Sequence, residues 1–127
     1  MIISKISNLS PEEALNLARR TGKRSEKLEQ QIMKDPQSAY WYAYYVIKRR
    51  WKEAEPYIMK DPLYAYFYAR DIIKGRWEEA EPYIMESPYD AYFYARDVIK
   101  ERWKEAEKYI KQDKYLWEEY KEYFKTK

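Results

Sequence analysis

Two kinds of amphipathic stretch alternate along this chain. From Pro62 to about Lys74, Ala65, Ala69, Ile72 and Ile73 fall on one side of a helix, and the pairs Ala39/Ala43 and Ala91/Ala95 repeat the pattern. Small residues four apart let another helix approach closely. From about Lys52 to Met59, Trp51, Ala54 and Ile58 share a face with Tyr57 at its edge, while Glu53 and Lys60 lie opposite. A helix this short is unstable alone, so it must pack against a neighbour.

The pair of stretches recurs. "AEPYIMKDPLYAYFYARDIIKGRW" at 54–77 returns as "AEPYIMESPYDAYFYARDVIKERW" at 80–103. Trp51, Trp77 and Trp103 are 26 residues apart, and so are Ile32, Ile58, Ile84 and Ile110, and Pro36, Pro62 and Pro88. A fixed period in this range signals stacked repeats, each burying its apolar stripes against a near-copy. Residues 28–53, 54–79 and 80–105 are three copies. Residues 1–27 read as a degenerate N-terminal cap, and 106–127, where Trp117 and Lys121 replace the alanine pair, as a C-terminal cap.

Helix starts are written in the sequence. Asp35-Pro36, Asp61-Pro62 and Ser87-Pro88 pair an N-cap side chain with a proline that needs no amide partner, and Ser10 with Glu13 forms a capping box. Pro56, at the end of the first turn of the second helix, costs at most one helical bond. Gly75 offers a stop in one copy, but Arg49 and Glu101 stand in the others. The expected fold is all-α: one domain over 1–127, a right-handed solenoid of short antiparallel helical hairpins in the style of TPR or Sel1 repeats, with a shorter unit.

The phrases "LARRTGKRSEKLEQQI", "KDPLYAYFYARDIIKGRW" and "EAEPYI" resemble a short tandem repeat of poorly characterised proteins from tailed phages and related viruses. The resemblance runs from about Ser10 to Ile110. It departs from that group after each tryptophan, where Lys52, Glu78 and Lys104 stand in place of proline. It implies a helical repeat fold and a phage accessory protein that binds and inhibits or redirects a host defence protein. It transfers no catalytic residue.

Composition narrows the chemistry. The chain has 127 residues, 37% of them charged, with no cysteine, no histidine and two glycines. Thiolate and imidazole chemistry and a phosphate-binding glycine loop are therefore excluded. The carboxylate pairs Glu53/Glu55, Glu79/Glu81 and Glu105/Glu107 repeat with the structural unit and read as solvated charges at helix starts. No enzyme activity, cofactor or metal site is expected. No apolar run approaches the roughly 20 residues that span a bilayer, and the expected location is the cytoplasm, that of the host for a phage protein.

Charge is uneven: residues 1–52 hold 11 Lys+Arg against 5 Asp+Glu, and 53–127 hold 14 against 17. Arg50, Arg76 and Arg102 stand near Glu53, Glu79 and Glu105 and suit a structural Arg–Glu or Arg–carbonyl bracket, or else a basic ladder for phosphates. With Ala65 at 0° on the helical wheel, Phe67 falls near about 200° and Lys74 near about 180°, opposite the alanine stripe. The candidate partner-binding face is therefore Trp41, Phe67 and Phe93, with Tyr44, Arg70 and Arg96 and the row Lys48, Lys74 and Lys100. Whether the aromatic row is exposed or buried between repeats stays open on sequence grounds. Aromatics and arginine dominate protein interfaces, so a protein partner is the first expectation. The same mixture also suits single-stranded nucleic acid, the second. A self-assembling structural component is the third, opposed by the polar C-terminal cap.

Overall fold

The computed structural model of the chain describes residues 6–125; residues 1–5 and 126–127 of the expected caps lie outside the described residues. All regular structure among the described residues is helical. No described helix is long and apolar enough to cross a membrane. The chain divides into two compact units between Ile58 and Met59.

Unit 1 contains α1 (Pro11–Thr21), α2 (Glu26–Ile32), α3 (Pro36–Tyr42) and α4 (Glu55–Ile58). In it α1 packs on α2 and α3, and α3 packs on α4. Unit 2 contains α5 (Pro62–Tyr68), α6 (Glu81–Ile84), α7 (Pro88–Tyr94), α8 (Glu107–Ile110) and α9 (Lys114–Phe124). There α5 packs on α6 and α7, while α7 also meets α6, α8 and α9.

The same registers are buried in each copy. Ala39, Tyr42, Ala43, Trp51, Ala54 and Ile58 are at most 1% exposed; Ala65, Tyr68, Ala69, Trp77, Ala80 and Ile84 repeat the set, as do Ala91, Tyr94, Ala95, Trp103, Ala106 and Ile110. Each large side chain among them contributes roughly 1.5–3 kcal/mol by leaving water. Tyrosine and tryptophan rings pack within a copy: Tyr42 on Trp51 and Tyr68 on Trp77 at 4.9 Å, Tyr94 on Trp103 at 5.0 Å. Ile72 and Ile73 are only half-buried, whereas their equivalents in unit 1, Val46 and Ile47, are buried.

The helix changes type along its length in every copy. After α3, α5 and α7 the chain enters a wider turn, over Ala43–Ile47, Ala69–Ile73 and Ala95–Ile99. Each is closed by an i→i+5 bond of 2.7 Å, from the Lys48, Lys74 or Lys100 amide to the Ala43, Ala69 or Ala95 carbonyl. Those lysines are left-handed, at φ 63°, 61° and 67°, and they end the helices where glycine is the usual choice. Gly75 is therefore not the stop. Gly22, at φ 69°, does fill that role for α1.

The second helix of each copy covers the expected stretch but is not α-helical throughout. It opens with a 3₁₀ turn, Lys52–Ala54, Glu78–Ala80 or Lys104–Ala106, and continues for one α turn. Its buried face is nevertheless the expected one: Trp51, Ala54 and Ile58 inside, Tyr57 at the edge, Glu53 and Lys60 in solvent.

The caps form with one exception. Ser10 accepts from the Glu13 amide while Glu13 accepts from the Ser10 amide. Asp35 accepts from the Ser38 amide, and Asp61 from the Leu63 and Tyr64 amides. Ser87 does not cap; its hydroxyl donates instead to Asp90 at 2.7 Å, because a carboxylate three residues on is a stronger acceptor than the hydroxyl is for a backbone amide.

Asp61→Ala should therefore lower unfolding stability by about 0.5–2 kcal/mol, the range for a lost N-cap. Urea denaturation of the two proteins side by side checks this, and equal midpoints would contradict it.

Candidate interaction surface

A polar network sets the spacing of the helices that carry the surface. Arg76 grips Glu81 with two bonds of 2.8 and 2.7 Å, and the Tyr94 hydroxyl donates to the same carboxylate at 2.7 Å. That hydroxyl also accepts from the Trp77 amide at 2.7 Å. Arg102, Glu107, Tyr120 and the Trp103 amide repeat the arrangement. In unit 1, Arg24, Glu29 and Tyr42 do so, with the Ser25 amide in the tryptophan's place. Arg50 likewise grips Glu55.

The Arg–Glu bracket thus exists, with a different partner from the one expected: Glu55, Glu81 and Glu107 rather than Glu53, Glu79 and Glu105. Of the carboxylate pairs, Glu53, Glu79 and Glu105 are exposed as expected, but Glu55 and Glu81 are buried and Glu107 is half-buried, so these three are not solvated helix-start charges. Burial alone would raise the Glu29 and Glu107 carboxyls, but the paired arginine and the tyrosine hydroxyl outweigh it and hold both below the ordinary value. The tyrosines move the other way. Burial, with the neighbouring carboxylate, pushes Tyr42 and Tyr120 up to about 12.

On unit 2, α5 and α7 enclose an open groove of about 510 Å³. Leu63, Tyr66, Phe67, Tyr89 and Phe93 supply its apolar wall; Arg70, Arg96 and Asp90 complete it. Phe67 and Phe93 are half-buried, which resolves the open question: their rings wedge between neighbours yet keep a wet edge. Arg70 lies over Phe67 at 4.9 Å and Arg96 over Phe93 at 4.7 Å. Tyr66 stacks on the Phe93 ring at 6.2 Å. Each arginine is locked to the residue that follows it: Arg70 to Asp71 by bonds of 2.7 and 2.8 Å, Arg96 to Asp97 by bonds of 2.7 and 3.0 Å. The Tyr66 hydroxyl donates to Asp97, tying the two helices together.

Arg70 also borders a smaller hollow of about 150 Å³, lined by Lys74, Gly75, Asp97, Val98 and Lys100. Among the described residues, Lys74 and Lys100 take part in no ion pair. At the other end of the groove, burial foremost, with the charge of Asp61 adding, raises the Asp90 carboxyl above its ordinary value; the Ser87 hydroxyl offsets part of this.

The expected residues of unit 1 form a different surface. Trp41 is half-buried, stacked on Tyr45 at 5.4 Å and meeting Tyr44 edge-on at 5.8 Å. It borders a hollow of about 460 Å³ with Leu15, Asp35 and Gln37 among its other walls. Tyr44 and Tyr45 are 44% and 41% exposed, and Arg19 lies 3.9 Å over the Tyr45 ring. Lys48 is exposed at its left-handed turn. Tyr44-Tyr45 thus occupies the register that Arg70-Asp71 and Arg96-Asp97 fill in unit 2.

The structure brings Phe67, Arg70, Phe93 and Arg96 together around one groove, with Lys74 and Lys100 at its end. Sequence reasoning missed Leu63, Tyr66 and Tyr89 in the wall, and the aspartates that hold the arginines. The recurring Arg-Asp dipeptide was a visible signal, but adjacent helical residues do not ordinarily face each other. No group of histidine, cysteine or acidic side chains among the described residues could hold a metal ion. Comparison with models of known protein families, with curated proteins and with solved structures finds no match.

Tyr94→Phe removes one hydroxyl from both the Trp77 amide and Glu81. It should cost about 1–3 kcal/mol in urea unfolding, the range for leaving buried polar groups short of a partner. A cost near zero would show that the network does not hold the copies in place.

The same network predicts the pH profile. Glu29 and Glu107 have folded pKa values below their unfolded ones, so their stabilisation is present above the unfolded value and is lost as pH falls through the folded one. The tyrosines have raised values, so theirs is intact below about 10 and is lost as pH climbs through about 12. Urea midpoints measured from pH 3 to 12 should form a plateau that falls at both ends, and both falls should shrink in Glu107→Gln.

Proposed function

We propose that the chain is a non-enzymatic helical-repeat module that binds a protein partner, with the groove between α5 and α7 as its contact surface. The observation that carries this reading is the state of the aromatic rings. Phe67 and Phe93 are wedged in place and each has a face covered by its own arginine, which is in turn locked by an aspartate. Such a wall offers apolar edges and a rigid charged rim, the make-up of a protein interface with little ordering left to do. A right-handed solenoid of antiparallel hairpins is the arrangement we propose for the repeats as a whole. The resemblance to repeats of tailed phages supplies a setting: a viral accessory protein acting in the host cytoplasm on a host protein, with defence proteins as candidates.

Binding of single-stranded nucleic acid is the second reading. It draws on unit 1, where Tyr44 and Tyr45 are exposed beside Arg19, in the half of the chain that carries the basic excess.

Capture from nuclease-treated host lysate by the parent and by a Leu63→Glu/Tyr89→Glu variant tests the first reading. A captured protein that the variant loses, at unchanged melting temperature, supports it. Capture unaffected by the variant would move the contact elsewhere. Tight, salt-sensitive binding of oligothymidylate, abolished by Tyr44→Ala, would establish the second reading instead.

A further inference from the structure

The groove on unit 2 is electrically polar along its length. At one end stand Lys74 and Lys100, which terminate the wide turns after α5 and α7 and take part in no ion pair among the described residues. Both hold left-handed backbone, at φ 61° and 67°, a conformation in which glycine would be free of strain. The chain uses lysine there nonetheless, beside the small hollow that Arg70 shares with the groove. At the other end are Asp90 in the groove wall and Asp61, whose charge reaches it. Between the two ends lie the apolar edges of Leu63, Tyr66, Phe67, Tyr89 and Phe93. From Leu63 to Lys74 the wall is about 16 Å long at the helical rise, or three helical turns.

Resting on the reading of this groove as a protein-binding surface, we infer that its occupant is a short amphipathic helix of the partner, about three turns long, with an acidic first turn and a basic last turn. Its apolar stripe meets the ring edges. Its first-turn carboxylates meet Lys74 and Lys100, so it runs opposite to α5 and α7. That direction also sets its positive N-terminal pole against the C-terminal ends of the two walls, and its basic last turn against Asp61 and Asp90.

A nucleic acid fits poorly. The two arginines are already neutralised, Asp71, Asp90 and Asp97 repel phosphate, and Phe93 has Tyr66 on its ring as well as Arg96. Only two free ammonium groups remain to hold a backbone.

Fluorescence anisotropy with labelled helical peptides tests the inference on the full chain. One peptide carries glutamates in the first turn, leucine or phenylalanine at i, i+3 and i+7, and lysines in the last turn. A second exchanges the charged turns, and a third replaces the apolar stripe with serine. The first should bind, with the others at least about tenfold weaker, the difference expected when rim charges and central anchors are removed. Lys74→Gly/Lys100→Gly should weaken the first peptide by a similar factor while keeping or raising the melting temperature, because glycine relaxes both left-handed turns. Equal binding of the charge-exchanged peptide, no binding of the first, or displacement of it by oligothymidylate would overturn the inference.

The same glycine variant in the lysate experiment separates this inference from the reading beneath it. A partner lost with Leu63→Glu/Tyr89→Glu but kept with the glycine pair would leave the groove an interface and remove the acidic-ended helix. A partner that survives both variants would remove both.

Discussion

A carboxylate withdrawn from water must find donors within the protein, and in this chain that need spans neighbouring copies. Glu81 takes two bonds from Arg76 in the preceding copy and one from Tyr94 in its own. A buried ion left one partner short is costly, so the copies can stack only where the arginine reaches. The Tyr94 hydroxyl also accepts from the Trp77 amide, fixing the backbone at the point where the chain enters its 3₁₀ turn. The apolar contacts supply most of the favourable free energy but are tolerant of sliding. The hydrogen bonds define the register at which those contacts close.

The outer face follows from that register. Once Tyr94 is held, α7 is fixed in rotation, and Phe93 and Arg96 are aimed at α5. Tyr66 then completes the link by donating to Asp97. A rigid wall loses little freedom when something lies against it, so much of the ordering that a contact surface ordinarily requires is already complete in the free protein. Unit 1 makes a different use of the same frame. Its Tyr44 and Tyr45 leave ring area exposed where unit 2 has arginine neutralised by aspartate.

The parts of this fold that were legible in the sequence depend on short-range rules. The alanine pairs, the tryptophan face and the capping residues Ser10, Asp35 and Asp61 follow from a 3.6-residue period and from orphan amides at helix starts, and the structure shows each of them. The rest depends on geometry that a helical wheel does not contain. The wheel assumes a constant step, which the wider turns from Ala43, Ala69 and Ala95 do not keep. Nor does it show that Val46 and Ile47 are buried while their equivalents Ile72 and Ile73 are half-buried, or that Arg50 pairs with Glu55 rather than Glu53. Half-burial of Phe67 and Phe93 is a property of two helices together and could not be read from either. The candidate residues of unit 2 were found; their grouping, and the aspartates that clamp the arginines, were not.

The reach of a glutamate back to an arginine of the preceding copy also bears on how such a chain can grow. A duplication or loss of one whole copy exchanges one arginine for its equivalent, and no carboxylate is stranded. A change of any other length strands one. Unequal recombination between near-identical stretches of the gene yields the first kind of change by default. The number of copies is therefore an inherited variable that can alter without passing through an unfolded intermediate in evolution.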